Sequence, residues 1–463
     1  MQETNEIKNT RNVVQIDNEL IENISKLIKT GADKSVLNVL TGLHPADIAE
    51  ILNHLELEYA KRIFALFPSE QASEIITELD ENVREKVLKE IDVKTLTEIV
   101  DELYTDDATD IVSDLPPGIA KQVLKNIDKE DSAEVMKLLE YPEDTAGGIM
   151  TSNFVWVDYN ATIKDAITEV RRNAEEFDHI YHIYVLKENE ELLGIVTLKS
   201  LLTNKLQKKV KSVIQEDLMY VTPEMDQEEV AHIMNKYDLV AIPVVDEHRR
   251  MLGRITFDDI QDVIQNEASE DLQKIAGLTE EEEKSDSIIT ISKIRLPWLI
   301  VALLMELLAA LVLRGYEDYI QQIFIATFFV PVVMAMGGST GTQAAIVMVK
   351  SISSGEVWVS ESFNNLFKEF LVAFVNGLVL GAVLFGSVTL LFPRDELSIN
   401  FAIVLSVSLL LIIITATVVG ASIPLILKKL NTDPAIATGP FVTTSNDILG
   451  LLIYLTIIIV YFF

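Results

Sequence analysis

The chain has 463 residues, 49% hydrophobic and 24% charged, with 38 basic against 71 acidic side chains and a formal net charge of −33. An acidic excess of that size repels phosphate and argues against a nucleic-acid partner, and the absence of cysteine removes disulfides, thiolate metal sites and thiol catalysis. The charge is segregated: residues 1–286 carry 30 basic and 61 acidic side chains and residues 287–463 only 8 and 10, which excludes a soluble enzyme of uniform composition. The opening MQETNEIKNT has no basic stretch followed by an apolar core, so no signal peptide is expected and the front half is expected in the cytosol. Residues 1–40 read as an N-terminal extension without an assigned role. Residues 41–140 read as a helical domain, within which residues 48–139 carry a repeat of twelve residues. Ile51, Ile63, Ile75, Val87, Ile99, Ile111, Val123 and Val135 share one register, and Leu55, Phe67, Leu79, Ile91, Leu103, Leu115, Ile127 and Leu139 lie four positions later. An i, i+4 apolar pair is one face of a helix. Twelve residues hold only a two-turn helix and a turn, which is unstable alone and must stack on its neighbours. An all-α superhelix is predicted.

Two units of another kind follow, Met150–Leu202 and Met219–Ile264. Each offers an amphipathic helix, a β run, a turn and a short helix. The β runs are His182–Leu186 and Ala241–Val245, closed by Leu193–Leu198 and Leu252–Phe257, and matched positions are 59 residues apart. The repeated order of strand, Gly194-Ile195-Val196-Thr197 or Gly253-Arg254-Ile255-Thr256, then helix resembles a tandem pair of CBS domains, at 141–204 and 205–267. That resemblance implies an α/β module that binds regulatory ligands such as adenosyl nucleotides and dimerises; a pure dimerisation module is the alternative. A connecting (plug) helix is expected at 268–295. Around it lie Asp258, Asp259, Asp262, Glu267, Glu270, Asp271 and Glu280–Glu283. Asp259 and Asp262 are three apart and Glu267 is eight beyond Asp259, which places them near one helix face, with Glu270 and Asp271, three and four beyond Glu267, a turn further on. Crowded carboxylates repel unless cations screen them, and oxygen-rich sets suit Mg2+ and Ca2+. A solvated acidic face is the alternative.

Residues 296–463 read as a domain of five transmembrane helices in a lipid bilayer. The apolar runs are Leu296–Leu313, Ile323–Val349, Phe370–Phe392, Phe401–Leu427 and Ala435–Phe463, each near the 20 or so residues a span needs. Lys293, Arg295, Lys350, Lys368, Lys428 and Lys429 flank one side, and only Arg314 and Arg394 the other. This places the N-terminus in the cytoplasm and, after an odd number of spans, the C-terminus outside. The second span holds Pro331 and then Gly337-Gly338-Ser339-Thr340-Gly341-Thr342-Gln343, read either as broken backbone against a wet cavity or as close helix packing. The fifth opens Asp433-Pro434 and contains Gly439-Pro440, Thr443, Asn446 and Asp447. A carboxylate within a span marks an ion pathway more often than not. Glu306 is a weaker candidate, able to pair with Arg314.

A helical repeat domain, a CBS pair, an acidic connecting helix and five spans, in that order, resemble the MgtE family of magnesium channels from about His44-Pro45 to the end. Local marks are Glu143–Met150, Phe329-Val330-Pro331 with Gly337–Gln343, and Asp433-Pro434-Ala435 with Pro440–Thr444 and Asp447. The resemblance implies a homodimer in the bacterial plasma membrane with a pore at the subunit interface. In that pore Asp447 of each subunit, with the Thr443 backbone, holds hydrated Mg2+. Gly337, Gly338, Ser339, Gly341, Gly439 and Asn446 are pore-lining candidates. The resemblance further implies closure by cytosolic Mg2+ at Glu74, Asp106, Asp110, Asp226, Glu228, Asp238, Asp259, Asp262, Glu267, Glu270 and Asp271. It also implies ATP at the CBS pair, without placing its residues. Ser339 and Thr342 stand where the family often has Asn, which leaves the choice among Mg2+, Mn2+ and Co2+ open. Rival readings are a proton-coupled transporter of another divalent metal and a membrane-anchored sensor. With no glycine-rich phosphate loop and six His without metal-ligand spacing, an enzyme is not expected.

Overall fold

The computed structural model describes residues 16–463 apart from 175–176, 178, 279–287, 354–361, 393–395, 431 and 438. The acidic run Glu280–Glu283, the flanking Arg394 and the first 15 residues of the expected extension lie outside the described residues. The chain divides into two compact units, one ending at Ile264 and one from Gln265 to Phe463.

The first unit opens with α1 (Asn18–Lys29), α2 (Asp33–Leu40), α3 (Pro45–His54), α4 (Leu57–Phe64) and α5 (Ser69–Ile76). It continues with α6 (Glu81–Leu88), α7 (Val93–Val100), α8 (Thr105–Ser113), α9 (Pro117–Asn126) and α10 (Lys129–Leu138). From α3 onward each helix is one twelve-residue repeat. The eight residues of the register from Ile51 to Val135 are all at most 2% exposed. Because each helix is only two turns long, it packs on the next but one: α3 on α5, α5 on α7 and α7 on α9, with α2, α4 and α6 as a second column. Ion pairs bridge the same spacing, Arg62 to Asp33 at 2.6 Å, Lys61 to Glu90 at 2.6 Å and Arg84 to Asp114 at 2.8 Å. The helices α1 and α2 correct the reading of residues 1–40 as an extension: Ile24, Ile28, Val36 and Leu40 are buried in the same core as the repeats. Their apolar spacing is helical but outside the twelve-residue register.

The CBS units follow. Strand β1 (Trp156–Asp158) pairs parallel with β2 (His182–Leu186), and β2 antiparallel with β3 (Leu192–Thr197); α11 (Ile163–Arg172) and α12 (Leu198–Thr203) flank them. The second unit has α13 (Gln227–Lys236) and the antiparallel pair β4 (Ala241–Val245) and β5 (Met251–Thr256), with one parallel bridge, Val221 to Val244, in the place of β1. Both units share a register, His182 facing Thr197 and Ala241 facing Thr256. Each closing strand carries a glycine because the backbone is crowded there. A Cβ on Gly194 would lie 2.2 Å from the Gln215 carbonyl oxygen.

The helix α14 (Phe257–Ala276) starts inside the second CBS unit rather than at residue 268. Asp259 explains the start: its carboxylate accepts from the Thr256 N–H at 3.2 Å and the Thr256 hydroxyl at 2.7 Å, satisfying groups that a helix start leaves open.

The second unit contains α15 (Ile288–Gly315), α16 (Glu317–Gln322), α17 (Val330–Ser353), α18 (Ser362–Leu391), α19 (Glu396–Lys429) and α20 (Pro440–Phe462). Among the described residues, five of its helices are long and apolar enough to cross a membrane. The first begins at Ile288, ahead of the expected residue 296. In the second span the glycine segment is not a break: α17 runs unbroken from Val330 to Ser353, and the irregular stretch is the 3-10 turn Phe324–Phe329 before it. Pro331 therefore stands in the first turn of α17, where a missing N–H costs nothing. Close packing is the reading that holds for the glycines. A Cβ on Gly420 of α19 would lie 2.2 Å from the Gly341 carbonyl oxygen, an approach that small residues alone permit. The fifth span is interrupted as expected, a 3-10 turn Pro434–Ala437 preceding α20.

Candidate ion site and acidic clusters

The first turns of α20 lie against the glycine face of α17. A Cβ on Gly338 would stand 3.0 Å from the Thr443 methyl carbon and 3.1 Å from Asp447 Oδ1; one on Gly337 would stand 3.2 Å from the Asn446 carbonyl oxygen. The hydroxyls of Thr342 and Thr443 are 3.0 Å apart. Thr443 also donates to the Gly439 carbonyl at 3.2 Å, a bond within its own helix turn. Asn446 is 1% exposed, and among the described residues neither atom of its amide has a partner, nor has Asp447 Oδ1. The structure thus brings together Gly337, Gly338, Gly341, Thr443, Asn446 and Asp447. Ser339 is exposed and outside this group. Gly439 is packed instead on the end of α14, where a Cβ would lie 2.2 Å from the Ile275 carbonyl oxygen. Glu306 of α15 comes within hydrogen-bonding range of the Asp447 carboxyl, and no ion pair among the described residues joins it to Arg314.

In the first unit the start of α8 is bound to the loop before β1. The Thr105 N–H donates to Asn153 Oδ1 at 3.0 Å, and the Ser152 N–H to the Thr105 hydroxyl at 2.8 Å. This docking buries Asp106, whose Oδ1 has no partner among the described residues. Burial pushes its carboxyl up to about 6, with Asp110 adding repulsion. Asp110 is likewise pushed up to about 6 by burial; Arg84 opposes, while Glu143, Asp114 and Asp259 add to it. Asp259 of α14 reaches about 7 through burial and then Asp106. Asp107, which sequence reasoning passed over, belongs here too: burial first, then Asp106, Asp259 and Asp110, hold it well above the usual carboxylate range. Three acids near the start of one helix are its visible signal. Asp262 is raised by burial and Asp258, and Glu78, also missed, by burial and Asp262.

Glu74 is exposed on α5. Asp226 caps α13 by accepting from the Glu228 N–H at 2.9 Å. Asp238 follows α13 with a φ of 52°. In the second unit Glu267, Glu270 and Asp271 share α14. Lys274 there is 2.6 Å from both Glu270 and Asp433, and Ser353 donates to Asp271 at 3.4 Å. Burial and then Asp433 raise the Asp271 carboxyl. Among the described residues no three His, Asp or Glu side chains form a ready metal cage. The arrangement is one of neighbouring, poorly solvated carboxylates, suited to a cation that retains its own waters.

Comparison with known proteins agrees with this architecture. A family model described as a divalent cation transporter matches residues 330–457, the MgtE intracellular N domain matches 43–144, and the CBS domain matches 146–206 and 210–266. The chain is 34% identical to the magnesium transporter MgtE of Bacillus subtilis over 94% of this chain and 96% of that protein. It is 31% identical to the magnesium transporter MgtE of Thermus thermophilus over 96% and 98%. A crystal structure of the cytosolic domain of the Mg2+ channel MgtE in complex with ATP covers 53% of this chain and 100% of its own, with a TM-score of 0.50 and 32% identity. With its five apolar helices and its match along nearly its whole length, the chain belongs to the MgtE family of magnesium transporters as a multi-pass membrane protein.

Proposed function

We propose that this protein is a homodimeric Mg2+ channel of the bacterial plasma membrane that cytosolic Mg2+ closes. Asp447, a carboxylate inside a span beside the glycine face of α17 whose Oδ1 has no partner among the described residues, is the observation that carries the reading. Two copies of Asp447, with Thr443 nearby, neutralise one Mg2+ whose water shell stays largely intact. Holding the ion through its waters keeps it loose enough to leave, which conduction requires. Gating follows from linkage: Mg2+ binds better to the arrangement in which Asp106, Asp107, Asp110 and Asp259 are crowded, because it screens them there. Glu74, Asp226, Glu228, Asp238, Asp262, Glu267, Glu270 and Asp271 are proposed as further regulatory ligands. The lysine-rich flanks put the N-terminus in the cytoplasm and the C-terminus outside. ATP is proposed to bind the CBS pair; the related cytosolic domain is in complex with ATP in its crystal structure.

The test is Mg2+ uptake into liposomes holding the purified protein, with and without millimolar Mg2+ on the side of the cytosolic domains. Uptake that this Mg2+ suppresses, and that Asp447→Ala abolishes in a folded dimer, supports the reading. Uptake that follows a proton gradient points to a coupled transporter, and no uptake by folded protein points to a sensor.

A further inference from the structure

Glu306 is the one charged residue between Leu296 and Leu313, and its side chain is exposed on the protomer. Around it on α15, Leu303 and Leu307 are 60% and 53% exposed, as expected of a lipid-facing helix. A carboxylate open to acyl chains is costly, so such residues face a wet path or a partner. The helix α15 packs on α20, and that packing sets Glu306 within hydrogen-bonding range of Asp447. Among the described residues Asp447 Oδ1 is itself unpartnered, and so is the fully buried amide of Asn446 next to it. Two ionised carboxylates this close in a poorly polar medium repel strongly unless a cation lies against them or they share a proton. A carboxylate is an acceptor only, and the waters around a hard divalent cation are donors.

We propose that Glu306 is a second ion-contacting carboxylate of the permeation site, acting beside Asp447 to set how tightly the hydrated divalent cation is held. The inference rests on the reading of Asp447 as a pore residue. Each protomer then offers two negative charges rather than one. The added attraction grows with the charge of the ion, so it favours divalent over monovalent cations.

The experiment uses the full chain in liposomes. Glu306→Gln keeps the shape and removes the charge. We expect the Mg2+ concentration for half-maximal uptake to rise about tenfold, equivalent to about 1.4 kcal/mol, with a smaller change in maximal rate and a gain in Na+ permeation. Glu306→Asp is expected to recover most of the affinity. Because the chain lacks cysteine, Glu306→Cys supplies a single thiol. A membrane-impermeant cationic thiosulfonate should modify it, Mg2+ should slow that modification, and uptake should fall. Wild-type concentration dependence and ion preference in a folded Glu306→Gln dimer, or a thiol at 306 that the reagent does not reach, overturns the proposal. In either case an inactive Asp447→Ala leaves the pore reading standing. Normal uptake by Asp447→Ala removes both.

Discussion

Asp259 receives two hydrogen bonds from Thr256 and still sits among carboxylates that repel it. Hydrogen bonding lowers its pKa and burial raises it, and burial wins, at about 7 against Asp106 and Asp110 at about 6. These folded-state values exceed the ~3.9 of a free aspartate. The fold therefore favours the protonated forms: their stabilisation is full below about pH 4 and is lost as pH rises through about 6 to 7. In chelator, the melting temperature of the full chain should fall across that interval and then level. Asp259→Asn should flatten the fall, and millimolar Mg2+ should reduce it, since the cation replaces the protons. A melting temperature independent of pH in chelator contradicts the crowding. In patch recordings the paired change of Asp259 and Asp262 to Asn should raise the Mg2+ needed for half inhibition several-fold, each 1.4 kcal/mol of lost linkage being about tenfold. The acids of α14 are legible from helical spacing. Glu78 is not, because Asp262 comes from another element, and Asp107 is legible only in part, since Asp106 and Asp110 share its helix while Asp259 comes from α14.

At the scale of elements, the repeats of the first unit behave as one stack. Ile99 is fully buried on α7, which contacts both α5 and α9. Truncating it to Ala should cost about 2–5 kcal/mol, read as a lower denaturant midpoint at unchanged slope. Leu139, 38% exposed at the end of the repeats, should cost far less. The twelve-residue period makes α3–α10 legible from the amino-acid sequence, since one apolar pair per repeat has nowhere to go but a shared core. The helices α1 and α2 escape it because their apolar residues keep a helical spacing but not that period. The glycines of α17 are ambiguous for a physical reason. Small residues both weaken a helix and let two helices approach, and only the neighbours decide which effect matters. Here α19 and α20 are the neighbours. Gly341→Ala would set a Cβ 1.8 Å from Asn446 Nδ2 and should cost thermal stability and activity together.

At the scale of the whole molecule, the end of α14 is tied to the segment before the fifth span. Lys274 joins Glu270 and Asp433 at 2.6 Å each, and Gly439 meets the backbone of Ile275. The ammonium does there without Mg2+ what a screening cation is proposed to do at Asp259. Lys274→Met should loosen the tie and raise residual uptake at inhibitory Mg2+ about two- to fivefold, the scale of a half-exposed ion pair worth up to about 1 kcal/mol. Unchanged residual uptake would remove Lys274 from gating. By itself the sequence determined the five spans, the stacked repeats and the twinned CBS strands. A span must be apolar and a repeat periodic whatever surrounds them, so the local pattern carries that information. Only the tertiary structure decided which carboxylates meet. Asp106 reaches Asp259, and Glu306 reaches Asp447, because separate helices pack at particular faces, and no spacing along the chain encodes a meeting of residues so far apart in it.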